Sequence, residues 1–470
     1  MRERAQLVVE QPGETACCEA CASGRVADEA RATPALLQPR RAAFPGPNLR
    51  RDADRRIALA SIALAGTFLG TALVVVAAGS APWLPLHLAL AGAAGTAIAG
   101  TLPFFAAALS AGRPADPRVR AVAVALVAVG GSAVAARGFG APAWIPTAGG
   151  LAFIVGMALV AAMTVGIGRG PAQHRPLVRL AYLGGLAQVL GGASLGTLAV
   201  SGNEAVVSAW AGLRPAHAWL NLMGFVSLIV VGTLVHLLPT VAGTRIVSRR
   251  SGVVAVVGLI AGPPLVAAGC VLAALGGDGL VAGLAARAGG LLTLVAAVAV
   301  GLEGWVVVRM RGRWTTDPGW HGMTLGSLAA AVCWFTVGGV LASARVLVVG
   351  ASPAAWSTPE LAPVIVLGWV AQILIGASAH LLPAIGPGGP GGHAVRRRIL
   401  GRVAMPRLAL LNAGVLLLAV GELTGADSVT LVGGILAFGG LVADLAVAAT
   451  ALATGTGPVH APRHPSGVRA

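Results

Sequence analysis

Trp219-Leu-Asn-Leu-Met-Gly224, followed by Gly232-Thr-Leu-Val-His236-Leu-Leu-Pro239, is the stretch on which the fold turns. Its pattern occurs three times. Upstream it reads His87-Leu-Ala-Leu-Ala-Gly92 and then Gly100-Thr-Leu-Pro-Phe104. Downstream it reads Pro363-Val-Ile-Val-Leu-Gly368 and then Gly376-Ala-Ser-Ala-His380-Leu-Leu-Pro383. The two glycines stand eight residues apart in every copy, and the copies are displaced by 132 and 144 residues. Each copy is preceded by an apolar run with its own small-residue pattern, as in Ala181-Tyr-Leu-Gly-Gly-Leu-Ala187. Glycines at such intervals let helices approach closely, which is how small residues pack helices in a bilayer. A repeat of this period predicts three copies of a four-helix unit around a pseudo-threefold axis.

The rest of the chain fits a bilayer. Its 470 residues are 56% hydrophobic and 11% charged, with a mean hydropathy of +0.83. A soluble globular protein carries about a quarter charged residues, so a water-soluble enzyme is not expected. A window of about 20 apolar residues gives twelve spans: 57–79, 84–110, 119–136, 144–168, 180–200, 217–241, 252–276, 280–308, 323–350, 361–385, 407–424 and 428–454. The expected class is therefore an all-α polytopic membrane protein.

Charge supplies the topology. The chain has no lysine, so its 33 basic side chains are all arginines and carry the net charge of +16. They cluster in alternate links between spans, for example Arg245, Arg249 and Arg250, or Arg309, Arg311 and Arg313, or Arg396 to Arg398. Basic stripes with interleaved aromatics are absent, so no nucleic-acid partner is expected. By the positive-inside rule both termini are cytoplasmic, in a cell membrane whose bilayer is the main partner. The division that follows is a cytoplasmic tail over 1–56, four-helix units over 57–178, 179–321 and 322–455, and a second tail over 456–470. The first tail holds Cys17, Cys18 and Cys21 without a second ligand pair, which leaves a zinc site incomplete. Cys270 and Cys333 read as small core residues. Gly386-Pro-Gly-Gly-Pro-Gly-Gly392 reads as a flexible inner loop, with no Gly-Lys-Ser/Thr to make it a phosphate loop.

Three four-helix units whose second, sixth and tenth spans line the axis resemble subunit I of the heme-copper oxidase superfamily, with its cytochrome c oxidase and nitric oxide reductase branches. Gly368-Trp-Val-Ala371, Gly376-Ala377 and His380-Leu-Leu-Pro383 follow the tenth-helix pattern of that family. The run from His217-Ala-Trp-Leu-Asn-Leu-Met-Gly224 through His236-Leu-Leu-Pro239 is similar to oxidase-like proteins related to NnrS. The resemblance implies heme b or copper as cofactor, and a role in nitric-oxide or metal handling beside a respiratory or denitrification membrane protein. The departures are specific. The tenth-helix heme ligands correspond here to Leu361 and Pro363, and the second histidine of the sixth-helix pair to Trp219. Residues 252–276 hold no histidine for copper, and the redox tyrosine is missing, since Tyr182 is the only tyrosine. Terminal oxidase activity is therefore not expected.

Four histidines remain within spans: His87, His217, His236 and His380. Neutral imidazole is a good ligand for heme iron or copper. His87 corresponds to the second-helix heme ligand under the resemblance; the alternative is a buried histidine bonded to a neighbouring helix. His217, beside Pro215 and Trp219, reads first as an interfacial anchor and second as a cofactor ligand. The resemblance assigns their two helices to different centres. His217 and His236 are nineteen residues apart, about 28 Å along a helix, and cannot share a metal. His236 and His380 form an inner pair, either a second metal site or partners for carbonyls freed by Pro239 and Pro383.

Ionisable residues at membrane depth are functional candidates by default. Asp444 is expected to be protonated, paired with an arginine, or part of a proton or ion path. Glu303 is expected to pair locally with Arg309. Arg287 and Arg345 can snorkel, or meet the propionates of a heme near His87. Two classes of function follow: a degenerate oxidase-like protein binding heme or copper, or a cofactor-free transporter or membrane scaffold using a polar path around Asp444 and Glu303. Major transporter folds repeat by six helices, and a period of four favours the former.

Overall fold

The computed structural model describes residues 47–110, 112–167, 176–245 and 249–454. The cysteines of the N-terminal tail, and both tails beyond these limits, lie outside the described residues. Among the described residues, twelve helices are long and apolar enough to cross a membrane: α1 (Asp52–Ala77), α2 (Trp83–Leu109), α3 (Pro117–Phe139), α4 (Trp144–Ile167), α5 (Pro176–Val200), α6 (Trp210–Ala242), α7 (Arg250–Ala274), α8 (Gly279–Arg309), α9 (Trp320–Val349), α10 (Pro353–Ile385), α11 (Ala404–Thr424) and α12 (Asp427–Ala453). No strand occurs among the described residues. Helices pair most of their backbone groups within their own span, as lipid requires.

Links are short and carry helix signals. Asp116 caps α3 by accepting from the Arg118 amide at 2.7 Å, with Pro117 as the first helical residue. Asp278 does the same for α8, accepting from the Leu280 and Val281 amides. The segment expected as a flexible loop over 386–392 is instead largely helical. Gly389–Leu400 forms a helix with Pro390 in its first turn. Its apolar residues Ile399 and Leu400 bury beside Leu382 and Ala451, which is what holds it in place.

Local structure repeats every four spans. α2, α6 and α10 are the most buried, at 72%, 72% and 67% of their central windows. Each contains one widened π-type stretch at the quoted motif: Leu88–Ala94, Trp219–Val226 and Pro363–Ala371. The glycines of the motif are packing positions in all three copies. A Cβ on Gly92 would meet Phe68 at 2.5 Å, on Gly224 Gln188 at 1.9 Å, and on Gly368 Trp334 at 2.6 Å. The second glycines face the same partner helices. A Cβ on Gly100 would meet Ser61, on Gly232 Ala181, and on Gly376 Leu328 and Ser327. The hairpins α3–α4, α7–α8 and α11–α12 close by backbone approach at Gly130 with Gly149, Gly262 with Gly289, and Gly414 with Gly433.

Candidate functional site

α2, α6 and α10 enclose a cavity of about 650 Å³ at the end where all three begin. The widened stretches supply much of its wall, through Leu90, Asn221, Phe225 and Ile365. A π-type stretch leaves carbonyls without their usual partners, and such bulges are frequent at functional sites. Side chains take up that slack in α6. The Ser227 hydroxyl donates to the Leu222 carbonyl at 2.7 Å, and the Asn221 amide donates to the His217 carbonyl at 2.7 Å. Trp369 of α10 in turn donates to the Ser227 hydroxyl at 3.1 Å, tying α10 to α6.

His87 and His217 both line this cavity, with ring centroids 6.3 Å apart and planes inclined by 19°. The sequence reading assigned them to separate roles, and the structure brings them together. Both stand in the opening segments of their helices, and it is the packing of α2 and α6 that brings those ends together, which spacing along the chain does not reveal. Each ring is oriented by its Nδ1. His87 Nδ1 bonds the Trp83 carbonyl at 2.8 Å, and His217 Nδ1 bonds the Gly192 carbonyl at 2.8 Å. A carbonyl only accepts, so each Nδ1 carries its proton and each neutral ring keeps its lone pair on Nε2. Neither Nε2 has a hydrogen-bond partner among the described residues.

Packing fixes both rings further. Trp83 stacks on His87 at 4.2 Å, and Trp210 lies 5.8 Å from His217. Gly196 of α5 makes room for the second imidazole, since a Cβ there would meet His217 Cε1 at 2.7 Å. His217 is thus a positioned cavity residue and not simply an interfacial anchor.

Two neutral imidazoles with unpartnered Nε2 atoms on one cavity are a donor pair of the kind that heme iron or copper accepts. Arg137 and Arg214 also line the cavity; sequence reading passed over both because hydropathy treats an arginine near a span end as a topology marker. Gly192 and Gly196 were missed as well, and only their helical spacing of four on α5 hinted at a shared face.

The other candidates separate from this site. His380 lies beside Trp320, with centroids 6.1 Å apart. No group of three or more His, Cys, Asp or Glu side chains placed to hold a metal occurs among the described residues. Asp444 is paired with Arg407, Oδ1 to Nη1 at 2.5 Å, with both side chains buried. Glu303 does not pair with Arg309: it accepts from the Ser251 hydroxyl at 2.5 Å, while Arg309 lies over Trp305. Six residues along a helix put two side chains on different faces. Arg345 holds Glu360 and the Ala354 carbonyl, and Arg287 holds the Leu347 and Val348 carbonyls, so neither reaches the cavity. Cys270 is buried as expected; Cys333 faces outward. Tyr182 is buried and bonded to Thr233 at 2.9 Å.

Fold and site together define a polytopic helical membrane protein with a two-histidine cavity. No protein-family model matches the chain, and no curated protein matches it.

Proposed function

We propose that the chain binds heme or copper between His87 and His217, on an oxidase-like scaffold of three four-helix units, without terminal oxidase chemistry. The observation that carries this reading is the convergence of two imidazoles from distant spans on one cavity, 6.3 Å apart, each with Nδ1 tied to a carbonyl. His87 and His217 hold the metal through Nε2. Trp83 and the Gly192 carbonyl hold the rings in place, and the apolar wall excludes water from the bound group. A bound heme or copper supplies one-electron chemistry and a site for small ligands such as nitric oxide. Leu361, one of the positions where the oxidase resemblance implies a heme ligand, lines the same cavity as an apolar residue. A second catalytic metal has no ligands there, which suits handling or delivery beside a respiratory or denitrification partner better than oxygen reduction. The cavity then faces away from the cytoplasm, and both termini face it.

The transporter reading has less support, because Asp444 Oδ1 is paired with Arg407 and Glu303 accepts from the Ser251 hydroxyl, and no shared cavity joins the two carboxylates among the described residues. The test is a reduced-minus-oxidised optical spectrum of the purified protein with metal analysis on the same sample. A b-type signal or stoichiometric copper, lost in His87→Ala, is the expected result. A colourless protein without copper after heme-replete expression refutes the proposal.

A further inference from the structure

We propose that His321 is a protonation-sensitive latch between α9 and the Gly389–Leu400 helix, closed while its imidazole is neutral and opened when the ring takes up a proton. The latch lies where α10 ends, and it does not depend on what the cavity at the starting ends of α2, α6 and α10 holds.

Geometry carries it. Asp317, in the turn before α9, accepts from His321 Nδ1 at 2.5 Å. The other ring nitrogen, Nε2, meets Arg397 Nη2 at 3.1 Å. An ionised carboxylate only accepts and a guanidinium only donates. One form of the ring satisfies both contacts: neutral, with its proton on Nδ1 and its lone pair on Nε2. Asp317 is itself held, because its Oδ2 accepts from the Gly319 amide at 3.2 Å. Arg397 lies over the Trp320 ring, 4.2 Å from its centroid, and Trp320 Nε1 donates to the Ala379 carbonyl of α10 at 2.7 Å. The imidazole thus joins the approach to α9 to the Gly389–Leu400 helix, beside the tryptophan that ties both to α10.

Protonation turns Nε2 into a donor. It then faces Arg397 Nη2 donor to donor, with two positive groups 3.1 Å apart, while the contact with Asp317 gains charge. The ring stays with Asp317, and Arg397 is the partner released. The His321 and Asp317 side chains are 19% and 46% exposed, so the ring exchanges protons with water. Histidine is the side chain whose charge ordinarily changes between pH 5 and pH 8. Release loosens the helix without expelling it. Arg396 still donates to the Thr454 carbonyl at 3.1 Å, and Ile399 and Leu400 stay buried. The latch makes the fit of the connection between α10 and α11 depend on pH, and leaves the fold alone.

Other titratable groups on the elements packed around the first turn of α9 include Arg313 in the preceding turn, Arg407 at the start of α11, His393 four residues before Arg397, and His380 of α10 beside Trp320. The two histidines among them are the controls.

The experiment is amide hydrogen exchange of the full chain in detergent at pH 8 and pH 5, read by mass spectrometry over residues 392–400. Protection factors divide out the intrinsic pH dependence of exchange, and the interval spans the ordinary titration of imidazole while staying above that of carboxylates. Wild type is expected to lose protection roughly tenfold at pH 5, the worth of a hydrogen bond to a charged group. Protection over α3 and α4 is expected to stay level, which separates the latch from acid unfolding. His321→Gln offers a donor and an acceptor but takes up no proton, and is expected to show no step. Arg397→Gln is expected to be weakly protected at both pH values. His380→Gln and His393→Gln are expected to keep the wild-type step. A wild type without the step overturns the latch, and so does a step that survives in either His321→Gln or Arg397→Gln. Loss of the step in either control with His321 intact overturns it as well. The wild-type comparison needs no variant, so misfolding of a substitution does not blunt the test.

Discussion

Replacing Asp444 by asparagine is the sharpest test of whether the deep carboxylate is structural or part of a path. Asp444 and Arg407 are exposed by only 2% and 4%, and their single contact is Oδ1 to Nη1 at 2.5 Å. Removing one partner of a buried ion pair costs about 3–5 kcal/mol, because the other charge is left without compensation. Here the cost is moderated. Arg407 also donates to the Leu400 carbonyl at 2.6 Å and to the Arg402 carbonyl at 3.1 Å, and an asparagine oxygen still accepts from Nη1. Asp444→Asn is therefore expected to destabilise by about 2–3 kcal/mol, and Asp444→Leu, which offers no acceptor, by about 3–5 kcal/mol. The double variant Asp444→Leu with Arg407→Met replaces the pair by apolar packing and is expected to lie within about 2 kcal/mol of wild type. The assay is equilibrium unfolding in mixed micelles with added SDS, run as a double-mutant cycle. A cost below about 1 kcal/mol for Asp444→Asn, or additive single costs, refutes the structural assignment. A protonated carboxylate on a proton path gives the first of those results, since asparagine is nearly its isostere.

Other substitutions test the packing around the cavity and the repeat. Gly196→Ala places a Cβ 2.7 Å from His217 Cε1, so it is expected to weaken heme binding more than tenfold while lowering stability by only about 1 kcal/mol; optical titration beside a melting curve separates the two. Gly224→Ala drives a Cβ into Gln188 Oε1 at 1.9 Å and forces off the Gln188 bond to the Leu259 carbonyl. Its expected cost is about 1–3 kcal/mol. Gly166→Ala, which meets nothing within 4 Å, is the control and is expected to be neutral or slightly stabilising.

The twelve spans were legible because each is an apolar run of bilayer length, a property that hydropathy measures directly. Where hydropathy and hydrogen bonding part, the limits moved. The sixth span was expected at 217–241 and runs from Trp210 to Ala242, because Arg214 and Pro215 lower the hydropathy without ending the helix. The same substitution of one property for another hid Arg137 and Arg214, whose charge suggested a link when their positions line a cavity. The closed partners were half legible. Asp444 announced that it needed a counter-charge, but which of many arginines supplies it depends on the fold of α11 against α12. The histidines were legible as a list and not as a pair, since no spacing rule links residues of two different helices.

The eight-residue glycine interval and the asymmetry of the site have one geometric origin. On the partner helices, the residues that meet the paired glycines are seven apart, about two α-helical turns: Ser61 and Phe68, Ala181 and Gln188, Ser327 and Trp334. On α2, α6 and α10 the glycines are eight apart, and the widened stretch that contains the first of them accommodates the additional residue. The repeat therefore makes the room, because all three widened stretches border the cavity. It does not make the chemistry. In repeat register His87 corresponds to Trp219 and Pro363, while His217 corresponds to Pro85 and Leu361. Trp219 is already committed, donating to the Ala355 carbonyl at 3.2 Å. The imidazole that meets His87 comes instead from two residues earlier on α6. The two imidazoles of the cavity thus come from different registers of the repeat, while α10 supplies mainly apolar residues such as Leu361, Ile365 and Val366 to the same lining.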